Sequence, residues 1–441
     1  MRLWRLNAVF WLLWLSLVTW FFFNGYDDPS SVFYDARRAY RAPFSNLRVR
    51  EVEAFLRRAA KRPMPNRTTT TTTMTKTTGR PPLLCVGIPS ISRQSEAFVG
   101  HAVGSLLDTL SPLERDLIFL VVLLADGDPS MHSAYRQDWL RRLPDEVLVY
   151  GDDGVAANSS ANFRRLPARG PAERVEKMRL DHAALVETCR ARNAPYFALV
   201  EDDVVASRDW FVRLRRALSH LESSGRDWIY LRLFYSEFLM GWNAEEWLGY
   251  SQVIAAAYGL LILLLLELRR RHRLGSSPGC VFVLALCLWM PAMIGLVFMV
   301  GRVSLRRLGP SPPEGVREMP NYGCCAQGLV FPRRHLQGLH DLLASPPFAF
   351  AGDQILEDYA RDRGLARFAL RDSVSHPGAS SAEETTNQLP ERTTQRFSAG
   401  QAVEQLQSIK RCIAPPAHDN RREAYMFHLR FRQFYGLETG G

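Results

Sequence analysis

The chain has 441 residues, 47% of them hydrophobic, and a formal net charge of +10. That length holds one large or two medium domains with a sizeable core. The positive balance does not point to nucleic acid, because arginines are scattered, many flank apolar segments, and no basic stripe is interleaved with aromatics; no nucleic-acid partner is expected, and a membrane accounts better for the basic residues.

Residues 7–23, NAVFWLLWLSLVTWFFF, carry no charge and read as a first transmembrane helix behind a cytosolic tail at 1–6. A helix of roughly 20 residues rises about 30 Å, the depth of the hydrocarbon core, and this stretch is at the short end. A cleaved signal peptide is the competing reading, but TWFFFNG is bulky where a small-residue cleavage site belongs. The segment 24–80 then reads as a lumenal stem. Its Thr-rich run at 68–78, TTTTTTMTKTT, is either an O-glycosylated stalk or a bare linker. Asn66 and Asn158 each head an N-glycosylation acceptor, NRT and NSS.

From residue 81 the chain alternates strands with helices. Apolar runs at 83–88 and 117–128, EVLVY and PYFALVEDD read as strands; segments near 96–109, 133–143 (SAYRQDWLRRL) and 172–192 read as helices. The last of these places Val175, Met178, His182, Leu185 and Cys189 on one face. A further helix begins near Asp209, and WIYLRLF is another strand. Such alternation predicts an α/β domain with a mostly parallel sheet, whose ligands bind beyond the carboxyl ends of the strands.

Two more charge-free stretches, 247–266 and 280–300, read as transmembrane helices joined by a short cytosolic loop at 267–279; buried core helices are the alternative. Arg2 and Arg5 before the first span, Asp27 and Asp28 after it, and Arg269, Arg270, Arg271 and Arg273 in the loop put the N-terminus and the loop in the cytosol. Arg302, Arg306 and Arg307 after the third span run against this. On that orientation the remainder is lumenal. Beyond the third span, strand and helix patterns resume (GLVFPRRHLQGLHDLL, then GDQILEDYARDRGLARFALRD), so 81–246 and 301–441 read as two parts of one domain interrupted by a membrane hairpin. Seven cysteines permit disulfides in an oxidising lumen. Cys280 and Cys287 are expected to be packing residues of the third span; the pairing of the others, including adjacent Cys324 and Cys325, cannot be assigned.

The chemical signal is LVEDDVV. Glu201, Asp202 and Asp203 follow a strand-like apolar run. Three adjacent anions repel, and partial burial disfavours each charged form, so the cluster is either a solvated turn before the helix at Asp209 or is compensated by a cation. Oxygen ligands at a strand end suit Mg²⁺ or Mn²⁺, which takes one or two carboxylates plus phosphate and water; a nucleotide diphosphate supplies those phosphates.

With its short anchor, stem, α/β domain and acidic strand end, the chain resembles the GT-A glycosyltransferases, EDD standing for their Asp-X-Asp element. GDQILEDYARDRGLARF and VSHPGASS are similar to the C-terminal part of N-acetylglucosaminyltransferase-IV-like enzymes. The span pair inside the catalytic fold resembles the Golgi transferases that add N-acetylgalactosamine to the glycan of glycosylphosphatidylinositol (GPI) anchors. This resemblance, over nearly the whole chain, implies inverting transfer from UDP-GalNAc to a mannose of the GPI glycan, with Mn²⁺ or Mg²⁺, in a multi-pass Golgi membrane protein whose catalytic domain is lumenal. It implies direct metal contact by Asp203, with Glu201 and Asp202 toward ribose, sugar or metal-bound water. Strand alternation argues against all three being direct ligands. The Gly87-Ile88-Pro89 turn and Asp126 would line the nucleotide pocket, Arg93, Lys177 and Arg179 would meet phosphate unless they are solvated helix charges, and His376 would contact metal or diphosphate unless it is a backbone-bonded loop residue. Inversion needs a general base. Asp353 is the candidate, with Glu357 one turn on along the same helix face, and an N-cap role is the alternative for Asp353. An N-acetylglucosaminyltransferase-IV-like enzyme on N-glycans and a non-catalytic glycan-binding membrane scaffold are the other readings.

Overall fold

A computed structural model of the chain describes residues 3–35, 43–61, 81–92, 98–151, 162–168, 170, 172–235, 241–271, 278–308, 315–319, 327–348, 352–370 and 375–377. The described residues in 3–35 and 241–308 form one compact unit, and those in 43–235 and 315–377 a second. Asn66, Asn158, Cys324 and Cys325 lie outside the described residues.

The first unit is built on three apolar helices long enough to span a bilayer, Leu3–Asn24, Trp247–Arg270 and Gly279–Val300. Few of their side chains are buried within the protein, as lipid-facing helices require. The third helix widens into a π-turn at Ala285–Trp289, just before Pro291. Proline has no N–H to give the preceding turn, and the Tyr258 hydroxyl of the second span donates instead to the Leu286 carbonyl (3.4 Å). Indole N–H groups join the first span to the third: Trp14 Nε1 donates to the Ala292 carbonyl and Trp289 Nε1 to Asn7 Oδ1, each at 3.0 Å. At the other end of the first span, fully buried Asp28 accepts the Ser30 and Ser304 amides at 2.8 and 2.6 Å. Gly301, at φ +91°, leaves no room for a Cβ against that carboxylate. Cys280 and Cys287 are exposed on the third span, contrary to the packing role expected of them.

The second unit contains α1 (Pro43–Lys61), β1 (Leu84–Ser90), α2 (Phe98–Leu107), α3 (Pro112–Asp116), β2 (Ile118–Leu124), β3 (Glu146–Tyr150), β4 (Phe163–Leu166), α4 (Arg174–Arg190), β5 (Tyr196–Val200), β6 (Val204–Ala206), α5 (Trp210–Ser223) and β7 (Trp228–Arg232). Later in the chain come β8 (Val316–Glu318), β9 (Gly328–Pro332), α6 (Leu336–Ala344), α7 (Gly352–Asp362), β10 (Ala366–Leu370) and β11 (Ser375–Pro377). Nine strands form one sheet in the order β4-β3-β2-β1-β5-β9-β7-β10-β8. Its inner strands are almost continuously apolar and buried, the pattern of strands covered on both faces. All neighbours run parallel except β9, antiparallel to β5 and β7, and β8, antiparallel to β10. A strand encoded after the spans therefore sits in the middle of a sheet begun before them.

Covering helices are held by specific contacts. The Cys85–Cys189 disulfide joins β1 to α4, and Gly87 lets α4 approach: a Cβ there would lie 3.2 Å from Leu185 and 3.1 Å from Phe197. Buried Arg48 of α1 pairs with Asp108 (2.5 Å) and donates to the Ala206 and Ser105 carbonyls (2.9 and 3.0 Å). The expected helix at 133–143 is instead a series of tight turns with i→i+3 amide bonds. There His132 Nδ1 captures the Ala134 amide (3.1 Å), a local side-chain bond that competes with a helical ladder. The buried face of α4 keeps His182, Leu185 and Cys189 of the expected stripe but differs from it elsewhere: Val175 and Met178 are half-buried, while Arg179 and Asp181 are buried.

Glu357 of α7, a catalytic candidate one turn on from Asp353, is the centre of an ion-pair cluster. Its carboxylate accepts from Arg367 (2.7 Å), Arg232 (3.0 Å) and the Tyr230 hydroxyl. With those three donors it fastens α7 to β7 and β10.

Glu357→Ala removes the carboxylate shared by two largely buried guanidiniums and is expected to cost about 3–5 kcal/mol, read as a lower melting midpoint of the detergent-solubilised protein; an unchanged midpoint with lost activity would return Glu357 to catalysis. Replacing both Cys85 and Cys189 with alanine is expected to remove about 2–5 kcal/mol, and non-reducing peptide mapping should recover the two residues as one linked pair.

Candidate active site

β1, β2 and β5 run parallel, so their carboxyl ends share one edge of the sheet. Polar side chains gather there. β5 ends at Val200, and Glu201–Asp203 form a turn before β6. Asp202 is buried (5% exposed), whereas Glu201 and Asp203 are half-buried. The Ser90 hydroxyl, at the last residue of β1, donates to Asp202 Oδ2 at 2.6 Å. Ser90 Oγ is also 3.0 Å from His132 Nε2. Because His132 Nδ1 accepts the Ala134 amide, hydrogen bonding assigns the ring proton to Nε2. Burial pushes the His132 pKa down, and the Asp126 carboxylate only partly opposes this, which agrees with a neutral ring. Asp126, just past β2, accepts the Ser92 amide with both oxygens at 3.2 and 3.0 Å. The Ser90 carbonyl takes the Ala125 amide (2.7 Å). The loops after three strands are thereby joined in one network.

Residues proposed from the sequence divide accordingly. Asp126, Glu201, Asp202 and Asp203 stand at this edge. The strand continues through Gly87-Ile88-Pro89, which is therefore not a turn, and Ile88 is fully buried in the core. Ser90, not the preceding triplet, reaches the acids. Arg179 is also reassigned: 2% exposed, it donates to the carbonyls of Leu342 (2.6 Å), Ser345 and Pro347 (both 2.9 Å) and sits over the Phe348 ring. Cations favour the carbonyl end of a helix, and Arg179 caps α6; burial lowers its pKa. Lys177 is exposed on α4. Arg93 lies outside the described residues, as do the side chains of Asp353 and His376; Asp353 is in the first turn of α7. β11 lies antiparallel to β6 with His376 opposite Val205, so its backbone runs beside the segment that follows the acids.

Among the described residues no three His, Cys, Asp or Glu side chains converge to hold a metal ion. The donors at this edge are carboxylate oxygens, two of the three acids half-exposed, which fits a hard cation completed by diphosphate and water. Ser90 and His132 escaped the sequence reading. A serine ending an apolar run and one histidine in a loop have no diagnostic spacing; only the tertiary fold brings them to Asp202.

Similar proteins include the alpha-1,3-mannosyl-glycoprotein 4-beta-N-acetylglucosaminyltransferase B of Mus musculus, 28% identical over 153 residues, which are 33% of this chain and 27% of that one. The alpha-1,6-mannosyl-glycoprotein 4-beta-N-acetylglucosaminyltransferase of Gallus gallus is 28% identical over 149 residues, 32% of each chain. The chain thus spans about a third or less of the length of these curated relatives. A family model described as GPI-N-acetylgalactosamine transferase PGAP4 matches residues 84–374. That match runs from the first residue of β1 to beyond β10, across the span pair, and the chain belongs to this family.

Proposed function

We propose that the chain is a membrane-bound glycosyltransferase that moves N-acetylgalactosamine from UDP-GalNAc to a mannose of the GPI-anchor glycan, with inversion. The observation that carries this reading is the Glu201-Asp202-Asp203 turn at the carboxyl edge of the parallel strands β1, β2 and β5, within a family match that includes the spans. Ligands of such sheets bind beyond that edge. Asp203 and Glu201 would hold Mn²⁺ or Mg²⁺, with the donor diphosphate and water supplying the remaining oxygen ligands. When bound, that cation neutralises negative charge on the leaving diphosphate. Asp353, at the start of α7, takes the proton of the acceptor hydroxyl.

Membrane spans confine the enzyme to the bilayer that carries a lipid-anchored acceptor, reducing the search for a productive encounter. The Cys85–Cys189 disulfide supports residence in an oxidising lumen, and we assign the chain to the Golgi membrane with its sheet domain lumenal. A second reading is transfer of N-acetylglucosamine, favoured by the names of the similar proteins. It supplies no reason for the spans.

Purified full-length protein is expected to release UDP from UDP-GalNAc in preference to other UDP-sugars, and only with Mn²⁺ or Mg²⁺. Preference for UDP-GlcNAc selects the second reading, and no metal-dependent turnover of any donor rejects both. Asp203→Ala should abolish transfer in cells while the protein stays folded and correctly localised; unchanged GPI side-chain glycosylation would instead support a non-catalytic scaffold. Asp353→Asn should lower kcat by about 10²–10⁴-fold with UDP binding intact.

A further inference from the structure

Ser90, His132 and Asp202 are 3%, 3% and 5% exposed, a buried polar chain at the carboxyl edge of an apolar sheet. Burying such groups costs free energy unless each is hydrogen-bonded, and here each is. The Ala134 amide donates to His132 Nδ1, Nε2–H donates to Ser90 Oγ, and Oγ–H donates to Asp202 Oδ2.

The three residue types are those of a hydrolytic triad, but the polarity is wrong for one. A nucleophilic serine gives its proton to the imidazole, whose other nitrogen is held by the acid. Here a backbone amide holds Nδ1, and the serine proton points at the carboxylate. With that polarity the imidazole is not the acceptor of the serine proton, so the arrangement transmits orientation, not nucleophilicity.

We propose that Ser90 and His132 are positioning residues that fix the Asp202 carboxylate, and through it the Glu201–Asp203 turn, in the geometry that receives the metal–diphosphate part of the donor. The proposal rests on the donor-site reading above. Asp202 is the buried middle of three acids, so holding it sets the backbone from which half-buried Glu201 and Asp203 project. A second tie acts on the same turn: the Glu201 amide donates to the Gln327 carbonyl at 3.4 Å. His132 is held in turn by the amide of Ala134, which is itself fully buried. The loop after β2, with Asp126, is thus locked to the loop after β5 through the last residue of β1. Partners of this kind behind a cation site typically change metal affinity by about 10–100-fold when removed.

The test uses detergent-solubilised full-length protein, with Mn²⁺ affinity in the presence of UDP read from the electron paramagnetic resonance signal of free Mn²⁺. Ser90→Ala is expected to weaken Mn²⁺–UDP binding by about 10–100-fold and to raise KM for the donor, with the melting midpoint lowered by the loss of two buried hydrogen bonds but a single cooperative transition retained. Ser90→Thr, which keeps the hydroxyl, should restore binding to within a few-fold. If the serine acts through Asp202, adding Ser90→Ala to Asp202→Ala should bring little further loss, because residues in one network are not additive. Wild-type binding by Ser90→Ala, no rescue by threonine, additive losses, or a collapse of the fold in Ser90→Ala would each overturn the assignment. Failure of the wild-type protein itself to bind Mn²⁺ with UDP would instead reject the donor-site reading.

Discussion

The backbone ladder between β5 and β9 is the constraint on which the second unit depends. β9 pairs along the whole of β5, from Tyr196 opposite Pro332 to Val200 opposite Gly328. On its other side it pairs with β7. A strand with unpaired N–H and C=O groups on one side is costly to bury, and without β9 both β5 and β7 would face that cost in the middle of a core. Sheet completion therefore requires chain that lies beyond the two spans. The same ladder runs up to the acids: past Gly328, the Gln327 carbonyl takes the Glu201 amide. Gly328 itself fits where a Cβ would lie 3.1 Å from Leu233.

Of the polar centres in the second unit, three separate structural from functional roles by their chemistry. Arg179 donates to carbonyls at the end of α6. Glu357 accepts from two arginines and a tyrosine. Both are committed to holding helices. The Ser90-His132-Asp202 chain differs in placement: it lies at the carboxyl edge of parallel strands, next to half-exposed acids, where an α/β sheet receives ligands. The same polar vocabulary thus fastens helices to the body of the sheet and organises a site at its edge.

In the first unit the constraint is the absence of water. Each backbone polar group in a bilayer must be satisfied by protein, and Pro291 breaks that rule locally. The π-turn before it and the Tyr258 hydroxyl on Leu286 restore it. Indole groups of Trp14 and Trp289 add bonds between the first and third helices. Asp28, buried among backbone amides, secures the exit of the first span, so that helix is one member of a packed bundle and not a bare tether.

Much of this was legible from the sequence. Period and length alone set out three apolar spans, the strands β1, β2, β3, β5, β7, β9 and β10, and an acidic turn at a strand end, because burial on two faces and bilayer depth impose strong, local hydrophobic patterns; the short strands β4, β6 and β8 carry no such pattern. The helix expected at 133–143 was not legible as turns, since the imidazole that captures the Ala134 amide is placed by contacts from other strands. Nor did local pattern distinguish the fates of Arg179, read as a phosphate contact or solvated helix charge, and Glu357, read as a catalytic candidate beside Asp353; only docking of α4 and α7 shows which carbonyls and guanidiniums surround them. The Cys85–Cys189 pairing has the same origin, because residues far apart in sequence meet only when α4 lies on β1. What the sequence by itself determined was the class of fold, the membrane spans and the presence of three adjacent acids. Tertiary structure alone decided the antiparallel insertion of β9 and the burial of the middle acid against Ser90 and His132, because both depend on hydrogen bonds between segments that no local pattern relates.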